Sequence, residues 1–340
     1  MKSYPTTEWT VTAPSLLGFS TEKLDRARQW MAEKSASRPY RFLVLCNGQI
    51  ILEVNIGMEP DLQVPIASAA KSVYSNLLGI IIQEGKLDSA DDKVVDYYPE
   101  MMEVQGGQGP KPGRYAFPKD KNITFRQLIA NTSGYMKPAE KPGKVFHYQT
   151  YGMNVLTHAL AKIHGYYNVT DPEESIGFGQ LIKTKLADRI GTNWNYRQTN
   201  FDLHHQARLN IFGYYCQIYT TARDLARLGW LWCNNGYWQD QQIVPADWLN
   251  NSIRVSADLL THSSASEWKY GLGFWTNSKG QLWPNLPETG FTASGANGHY
   301  LTVFPQQKVV VVQNPGPVIT DSGNEAANPD LLELVLNSLN

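Results

Sequence analysis

The chain has 340 residues, of which 42% are hydrophobic and 18% charged, and its 30 basic residues nearly balance 31 acidic ones. This balance leaves no basic excess to follow a phosphate backbone, which argues against a nucleic-acid partner. The sequence contains no run of about 18 apolar residues that would cross a membrane, and its first residues lack the apolar segment of a secretory signal. We therefore expect a cytoplasmic globular protein without a membrane partner.

The N-terminal region predicts a helix followed by a β-hairpin. Apolar residues repeat at helical spacing over residues 20–34, which indicates an amphipathic helix. Two β-rich runs, 41–46 and 49–54, flank Asn47-Gly48, and this dipeptide is the strongest short signal for a tight hairpin. An antiparallel sheet is therefore expected to begin early in the chain.

Helical spacing dominates the middle of the chain. The predicted helices cover residues 68–83, 124–130, 152–164, 174–190 and 221–233. Connections rich in proline and glycine separate them, as in residues 105–119. This order indicates a helical block between segments that form a sheet.

Strands return after the helical block. They are predicted at residues 270–276, 291–294, 299–304 and 308–313, and a last helix covers 329–339. Because both ends of the chain contribute strands, we predict the α/β (α+β) class, with an antiparallel sheet flanked by helices. Residues 1–66 and 215–340 would form this α/β domain, and residues 67–214 would form an inserted all-helical domain.

The clearest chemical pattern is Ser68-Ala69-Ala70-Lys71, at the start of a predicted helix. Residues three apart share a helix face, so the lysine amine would lie beside the serine hydroxyl. A lysine that loses its proton on desolvation can accept the serine proton. The N–H of Ser68 at the helix start would favour an oxyanion. Alone the pattern is weak, because a solvated lysine at a helix start explains it equally well.

Further segments accompany this pattern in a fixed order and make it more specific. They are Val64-Pro65-Ile66-Ala67 before it and, after it, residues 77–81, 84–88, 123–134, 142–148 and 219–229. This ordered set resembles the serine β-lactamase-like superfamily, in the branch of class C β-lactamases, penicillin-recognising peptidases and related esterases and amide hydrolases, and the resemblance covers roughly residues 15–335. The resemblance implies a β-lactamase/transpeptidase-like fold, with Ser-x-x-Lys as its first catalytic motif.

The resemblance also assigns catalytic roles. It makes Ser68 the acylated nucleophile, Lys71 its activating partner and Tyr148 a general base. A tyrosine beside an amine can act as a base when its pKa is lowered. Because the two groups would titrate as a coupled pair, whether Lys71 or Tyr148 accepts the serine proton stays open.

The second motif of the family, Tyr-x-Asn, is incomplete. Tyr148-Gln149-Thr150 occupies its place, so Thr150 offers a hydroxyl where the family has a carboxamide. This difference puts a contact with a substrate amide in doubt. Tyr151 with Asn154 is an alternative pair, although Asn154 would lie one turn into the next helix.

The third motif, Lys-Thr-Gly or His-Thr-Gly, aligns with residues 293–295. Ser294 matches the threonine, Gly295 would let the backbone approach a substrate closely, and the N–H of Ala296 could be the second oxyanion donor. Ala293 replaces the cation that holds the carboxylate of β-lactam substrates. His299 could restore some polarity or could point elsewhere.

The remaining candidate residues have mostly structural interpretations. Asn131-Thr132-Ser133-Gly134 predicts a helix end and turn, with Gly134 in the left-handed region, and Thr221 with Asp224 predicts a helix cap. Neither the seven histidines nor the cysteines have metal-ligand spacing, so we predict no metal and no cofactor. The cysteines, expected to be buried free thiols, are Cys46, Cys216 and Cys233, and the tyrosines that could line an acyl pocket are Tyr214, Tyr215 and Tyr219.

These observations favour a serine hydrolase of the carboxylesterase or amidase type, acting on a small-molecule ester or amide. One alternative is penicillin recognition, as a β-lactamase or D,D-peptidase, although the absent signal segment argues against a cell-wall enzyme. The other is a catalytically silent relative that only binds acylated or peptide ligands. Neither the physiological substrate nor the oligomeric state follows from the sequence.

Overall fold

The computed structural model describes residues 3–109, 111–168, 170, 175–199, 215–317 and 326–340. Its strands are β1 (Tyr40–Cys46), β2 (Gln49–Ile56), β3 (Val64–Pro65), β4 (Asn195–Thr199), β5 (Tyr215–Thr220), β6 (Tyr237–Trp238), β7 (Gln241–Gln242), β8 (Trp275–Thr276), β9 (Phe291–Gly295), β10 (His299–Phe304) and β11 (Val309–Gln313). Its α-helices of five or more residues are α1 (Thr21–Ser35), α2 (Ala70–Gln83), α3 (Phe125–Ile129), α4 (Tyr151–Ile163), α5 (Phe178–Ile182), α6 (Ala222–Cys233), α7 (Ala246–Ser252), α8 (Ala257–His262) and α9 (Pro329–Leu336). Helix α5 continues through a π-helical segment, Lys183–Ala187, into a short α-helical end, Asp188–Ile190.

A six-stranded antiparallel sheet in the order β2-β1-β11-β10-β9-β8 joins the two ends of the chain. The strand β1 forms the predicted hairpin with β2 and pairs on its other side with β11, where Phe42 lies opposite Gln313. The mixed fold with an antiparallel sheet and flanking helices is therefore confirmed. The pairing of β1 with β11 joins strands that are far apart in sequence.

Helices cover both faces of this sheet, and strand β11 shows why. Its Val309 and Val311 pack in the apolar cluster that contains residues of α1 and α9, whereas Val310 and Val312 pack in the larger cluster of α2 and α6. All four side chains are fully buried. Each contributes about 1.5–3 kcal/mol of burial free energy, so a run of four valines is stable here only between two helical layers.

Helix α2 is the centre of the larger core. Every residue from Ala70 to Ile81 is buried, as expected for a helix that is enclosed on all sides. Two of its polar side chains form hydrogen bonds with segments that are distant in sequence. Ser72 Oγ donates to the Gly273 carbonyl at 2.6 Å, and Asn76 Oδ1 accepts from Trp232 Nε1 at 2.7 Å.

The predicted secondary structure differs from the structure in three respects. The expected strand 270–276 is reduced to β8, because Gly273 takes a φ of +84° and packs on α2, where a Cβ would lie 2.8 Å from the Lys71 carbonyl oxygen. The expected helix 174–190 begins at Phe178, after Gly177 with a φ of +84°, and residues 171–174 lie outside the described part. Helices α7 and α8 were not predicted.

The middle of the chain is also not all-helical. Residues 67–214 include β4, which pairs with β5, and β3 completes this second sheet on the other edge of β5. A five-residue strand whose partner lies beyond residue 214 has too weak a local pattern to identify from sequence. The division of the chain at residues 66 and 214 stays a prediction.

The state of the cysteines and the hydropathy of the helices were also predicted from the sequence. Cys46, Cys216 and Cys233 are all buried thiols outside any disulfide, as predicted. Within the ranges described above, none of the helices has both the length and the apolar character required to span a membrane.

Candidate active site

The start of α2 brings Ser68 and Lys71 together. Residues Ala67–Ala69 form a 3-10 turn that leads into α2, so the side chains at i and i+3 lie one above the other. Lys71 Nζ is 2.7 Å from Ser68 Oγ. Ser68 is half-buried, whereas the Lys71 side chain is enclosed, with 1% of the residue exposed. The predicted contact between the serine hydroxyl and the lysine amine is therefore present.

Burial changes the chemistry of Lys71. Loss of hydration lowers the pKa of its amine from 10.5 to about 7, because the low-dielectric interior disfavours the ammonium form. This drop corresponds to roughly 5 kcal/mol. At neutral pH a large fraction of Lys71 is the free amine, which can accept a proton from Ser68.

Tyr148 lies on the other side of the same amine. Its ring centroid is 4.7 Å from Lys71 Nζ, and the ring packs against two further aromatic rings, Tyr270 at 5.8 Å and Trp275 at 5.4 Å. The cation–π contact with this ring stabilises the ammonium form of Lys71 by up to about 2 kcal/mol. This is less than the free energy that desolvation costs the ammonium form. Ser68, Lys71 and Tyr148 therefore form one cluster.

The backbone just before Ser68 is strained, a feature that the sequence does not signal. Ala67 has a φ of +49°, in the left-handed region that costs an alanine about 1–2 kcal/mol. Such outliers persist where the surroundings over-determine them, and they concentrate at functional sites. Since alanine carries no left-handed preference, no sequence pattern could have identified this position.

Strand β9 closes the site from the sheet side. A Cβ on Gly295 would lie 2.1 Å from the Ile66 carbonyl oxygen and 3.1 Å from the Ala69 nitrogen. Gly295 thus allows a close approach, as predicted from its place in the motif, but the neighbour is the protein's own backbone. Because Ala296 is the next residue, its exposed turn lies beside the Ser68 helix start.

Two backbone N–H groups are available at this junction. Within the described ranges, neither Ser68 N nor Ala296 N donates a hydrogen bond. Pairs of such donors are the usual means of stabilising an oxyanion. Ser294, paired with Tyr300, is buried on the opposite face of β9 from Ala293 and Gly295, so the register places it differently from its two neighbours.

The other residues considered for the second motif contribute less to the cluster than Tyr148. Thr150 caps α4 through its backbone, where its carbonyl accepts from Met153 N at 2.9 Å and Asn154 N at 3.1 Å. The alternative pair, Tyr151 and Asn154, is buried within α4 at 8% and 1% exposure. Tyr148 is therefore the better placed of the two tyrosines.

Of the three tyrosines proposed to line a pocket, Tyr219 is the one whose side chain the structure describes. Tyr214 lies outside the described residues, and the side chain of Tyr215 is not described. Tyr219 is half-buried in β5, opposite Pro65. Since Ile66 N donates to the Ile218 carbonyl at 3.0 Å, β5 runs along the segment that leads to Ser68.

His299 lies opposite Gly295, on the sheet face of Ala293. Arg41 Nη2 donates to Asn314 Oδ1 at 2.7 Å, which leaves Asn314 Nδ2 to face His299 Nδ1 at 3.2 Å. Because arginine can only donate, His299 Nδ1 must accept, and its proton resides on Nε2. Burial and the nearby Arg41 charge lower the pKa of His299 to about 4. His299 is therefore neutral and does not replace the missing cation.

The other motifs have structural roles. Thr221 caps α6 by accepting from Asp224 N at 3.1 Å, and Gly134 has a φ of +58°, both as predicted. In the part of the chain that the structure describes, no group of three or more His, Cys, Asp or Glu side chains is placed to hold a metal ion.

Comparison with known proteins identifies the family of this chain. The model of the Beta-lactamase family matches residues 28–313. Beta-lactamase-like protein 1 of Dictyostelium discoideum is 33% identical over 110 residues, which represent 30% of this chain and 17% of that protein. The alignment thus spans less than a fifth of that relative's length.

Solved structures share the fold over nearly the whole chain. A penicillin-binding protein homologue from Caulobacter crescentus has a TM-score of 0.66 at 15% identity, covering 95% of this chain and 99% of that one. EstCE1, a hydrolase with promiscuous acyltransferase activity, has a TM-score of 0.67 at 14% identity, with 95% and 99% covered. A family VIII carboxylesterase has a TM-score of 0.66 at 15% identity, with 98% and 99% covered. Because the family match covers most of the residues and these folds agree, the chain belongs to the Beta-lactamase family.

Proposed function

We propose that this protein is a serine hydrolase that cleaves small, uncharged esters or amides through an acyl-enzyme on Ser68. The observation that carries the proposal is the 2.7 Å contact between Lys71 Nζ and Ser68 Oγ. It is supported by the pKa of about 7 for the buried amine, which suits a base that works at neutral pH. The carboxylesterase and hydrolase folds among the structural neighbours agree with this chemistry.

The proposed reaction has two halves. Ser68 Oγ attacks the carbonyl carbon while its proton passes to the neutral amine of Lys71. The N–H groups of Ser68 and Ala296 stabilise the resulting oxyanion. When the tetrahedral intermediate collapses, the bond to the alcohol or amine breaks, and that group leaves with a proton from Lys71 or Tyr148. Water then attacks the acyl-enzyme in the same way and releases the acid and Ser68.

The substrate class follows from what surrounds the nucleophile. Ala293 cannot hold a carboxylate, and His299 is neutral and tied to Asn314. Aromatic side chains beside Tyr148, including Trp275 and Phe146, instead offer an apolar surface. An apolar wall without a charged anchor favours uncharged acyl groups over the carboxylates of penicillins and cephalosporins.

The test is hydrolysis of a short-chain p-nitrophenyl ester by the wild type, Ser68→Ala and Ser15→Ala. Ser15 is an exposed serine near the N-terminus, so its variant controls for the substitution itself. We expect turnover by the wild type and by Ser15→Ala, none by Ser68→Ala, and an acyl adduct on the peptide with Ser68 by mass spectrometry. Equal rates in all three proteins would contradict the proposal.

Two alternatives are distinguished by the same preparation. Faster turnover of a chromogenic cephalosporin than of the ester would indicate a β-lactamase. Ligand binding that persists in Ser68→Ala, with no turnover of either substrate by the wild type, would indicate a silent binding protein.

A further inference from the structure

Tyr148 lies in a loop between α3 and α4, so its position depends on contacts that fix the loop. The backbone N–H groups on its two sides donate to the same residue. His147 N donates to the backbone oxygen of Asn131 at 2.8 Å, and Gln149 N donates to Asn131 Oδ1 at 3.0 Å. Asn131 therefore brackets Tyr148 with its two oxygen atoms.

Asn131 is itself firmly placed. It is 1% exposed, and its own N–H donates to the Leu128 carbonyl at 3.1 Å, at the end of α3. The next residue, Thr132, is fixed from two directions, because its carbonyl accepts from Gly143 N at 2.8 Å and its Oγ1 donates to Asp258 Oδ2 at 2.6 Å. The Tyr148 loop is thus attached to a rigid support.

The residue type at position 131 meets two requirements. Its φ of +58° is left-handed, which asparagine tolerates far better than most residues. Its side chain also supplies the acceptor for Gln149 N. Glycine would satisfy the backbone requirement without the acceptor, and aspartate would keep the acceptor, so the two roles can be separated by substitution.

We propose that Asn131 is the positioning residue for Tyr148: by holding the backbone before and after it, Asn131 sets the Tyr148 ring 4.7 Å from Lys71 Nζ. This inference rests on the proposed hydrolase function. Misplacement of a catalytic group by about 1 Å can reduce a rate about 100-fold. The side chain of Asn131 therefore contributes to catalysis through the geometry of Tyr148.

The test compares Asn131→Gly, Asn131→Asp and the control Asn235→Gly in ester hydrolysis. Asn235 has a φ of +56° and is exposed in the turn after α6, so its variant repeats the same change at a left-handed asparagine outside the site. We expect Asn131→Gly to lower kcat about 10- to 100-fold, with KM changed less than about threefold. Asn131→Asp should stay within about threefold of wild-type kcat, and Asn235→Gly should equal the wild type.

Amide hydrogen exchange provides a readout that does not depend on catalysis. In Asn131→Gly the amide of Gln149 loses its acceptor, so exchange in a peptide covering residues 144–150 should accelerate. The same peptide should keep wild-type protection in Asn131→Asp. Thermal melting of each variant verifies that the whole chain is folded.

The outcomes separate the two proposals. Unchanged kcat and unchanged exchange in Asn131→Gly overturn the role of Asn131, even if Ser68→Ala is inactive. An Asn131→Asp variant that keeps wild-type exchange in the 144–150 peptide and is still as impaired as Asn131→Gly also overturns it, because the acceptor bond is then present in one variant and absent in the other. Full activity of Ser68→Ala overturns the hydrolase proposal itself, whatever the exchange data show.

Discussion

The helix side and the strand side of the candidate site differ in how much of the family's chemistry they keep. On the helix side, Ser68 and Lys71 are in contact and the amine is desolvated. On the strand side, Gly295 keeps the close junction with the helix start, but Ala293 stands where the family has a cation. The proposed reacting groups are therefore in contact at a site where Ala293 offers no charged anchor for a substrate.

The largest expected effect tests the helix side. Lys71→Met removes the amine but keeps an apolar chain of similar length, so ester hydrolysis should fall about 1,000-fold. The same change removes a desolvated amine, so the free energy of unfolding at pH 7 should rise by about 1–4 kcal/mol. Rates and chemical denaturation measure the two effects. A variant that is both active and unchanged in stability would show that Lys71 is neither base nor buried amine.

A pH profile of kcat/KM tests the same amine without substitution. Because its pKa is lowered to about 7, Lys71 gains a proton as the pH falls, and the rate should drop about tenfold per pH unit below pH 6. Stability should increase with pH between about 7 and 10.5, where the unfolded chain binds a proton at Lys71 that the folded chain does not. A rate independent of pH from 5 to 8 would exclude Lys71 as the base.

Restoring the cation on the strand side tests the proposed substrate class. Ala293→Lys should shift the ratio of kcat/KM for a carboxylate-bearing ester over its neutral analogue by about tenfold, since a charge-assisted hydrogen bond contributes about 1.5–3 kcal/mol. Ala293→Met has similar length without charge and is the matched control. An equal shift in both variants would mean that shape, and not charge, sets the preference.

The smallest expected effect concerns the strained residue between the two sides. Ala67→Gly should raise the free energy of unfolding by about 1 kcal/mol, because glycine adopts a positive φ without strain. Ala36→Gly is a fitting control, since Ala36 has a φ of +50° and is exposed. If Ala67→Gly also lowers kcat while Ala36→Gly does not, the strained backbone helps to place Ser68.

Features formed by residues that are close in sequence could be predicted from the sequence. The contact between Ser68 and Lys71 was predictable because both residues lie within one helical turn, and the hairpin at Asn47-Gly48 because its turn chemistry is local. The strand at 270–276 was not, since its β-forming residues are interrupted by Gly273 with a φ of +84°.

Burial was harder to predict than position. The pKa of Lys71 depends on segments distant in sequence, such as the one at Gly273 that packs on the Lys71 carbonyl. One of the hydrogen bonds that fix the backbone around Tyr148 joins residues 131 and 149, and the predicted helix end at Asn131 did not indicate this bond. Helix-end chemistry explains the backbone at such a position but not which loop its side chain holds.

The junction at Gly295 has a consequence for the order in which the protein becomes active during synthesis. Ser68 and Lys71 leave the ribosome long before β9, yet Gly295 packs on Ile66 only when that strand has been made. Strand β1 likewise can form its pairing with β11 only after β11 has been synthesised. Until then the Lys71 amine stays hydrated and protonated, so the proposed base for Ser68 becomes available only after the C-terminal strands are in place.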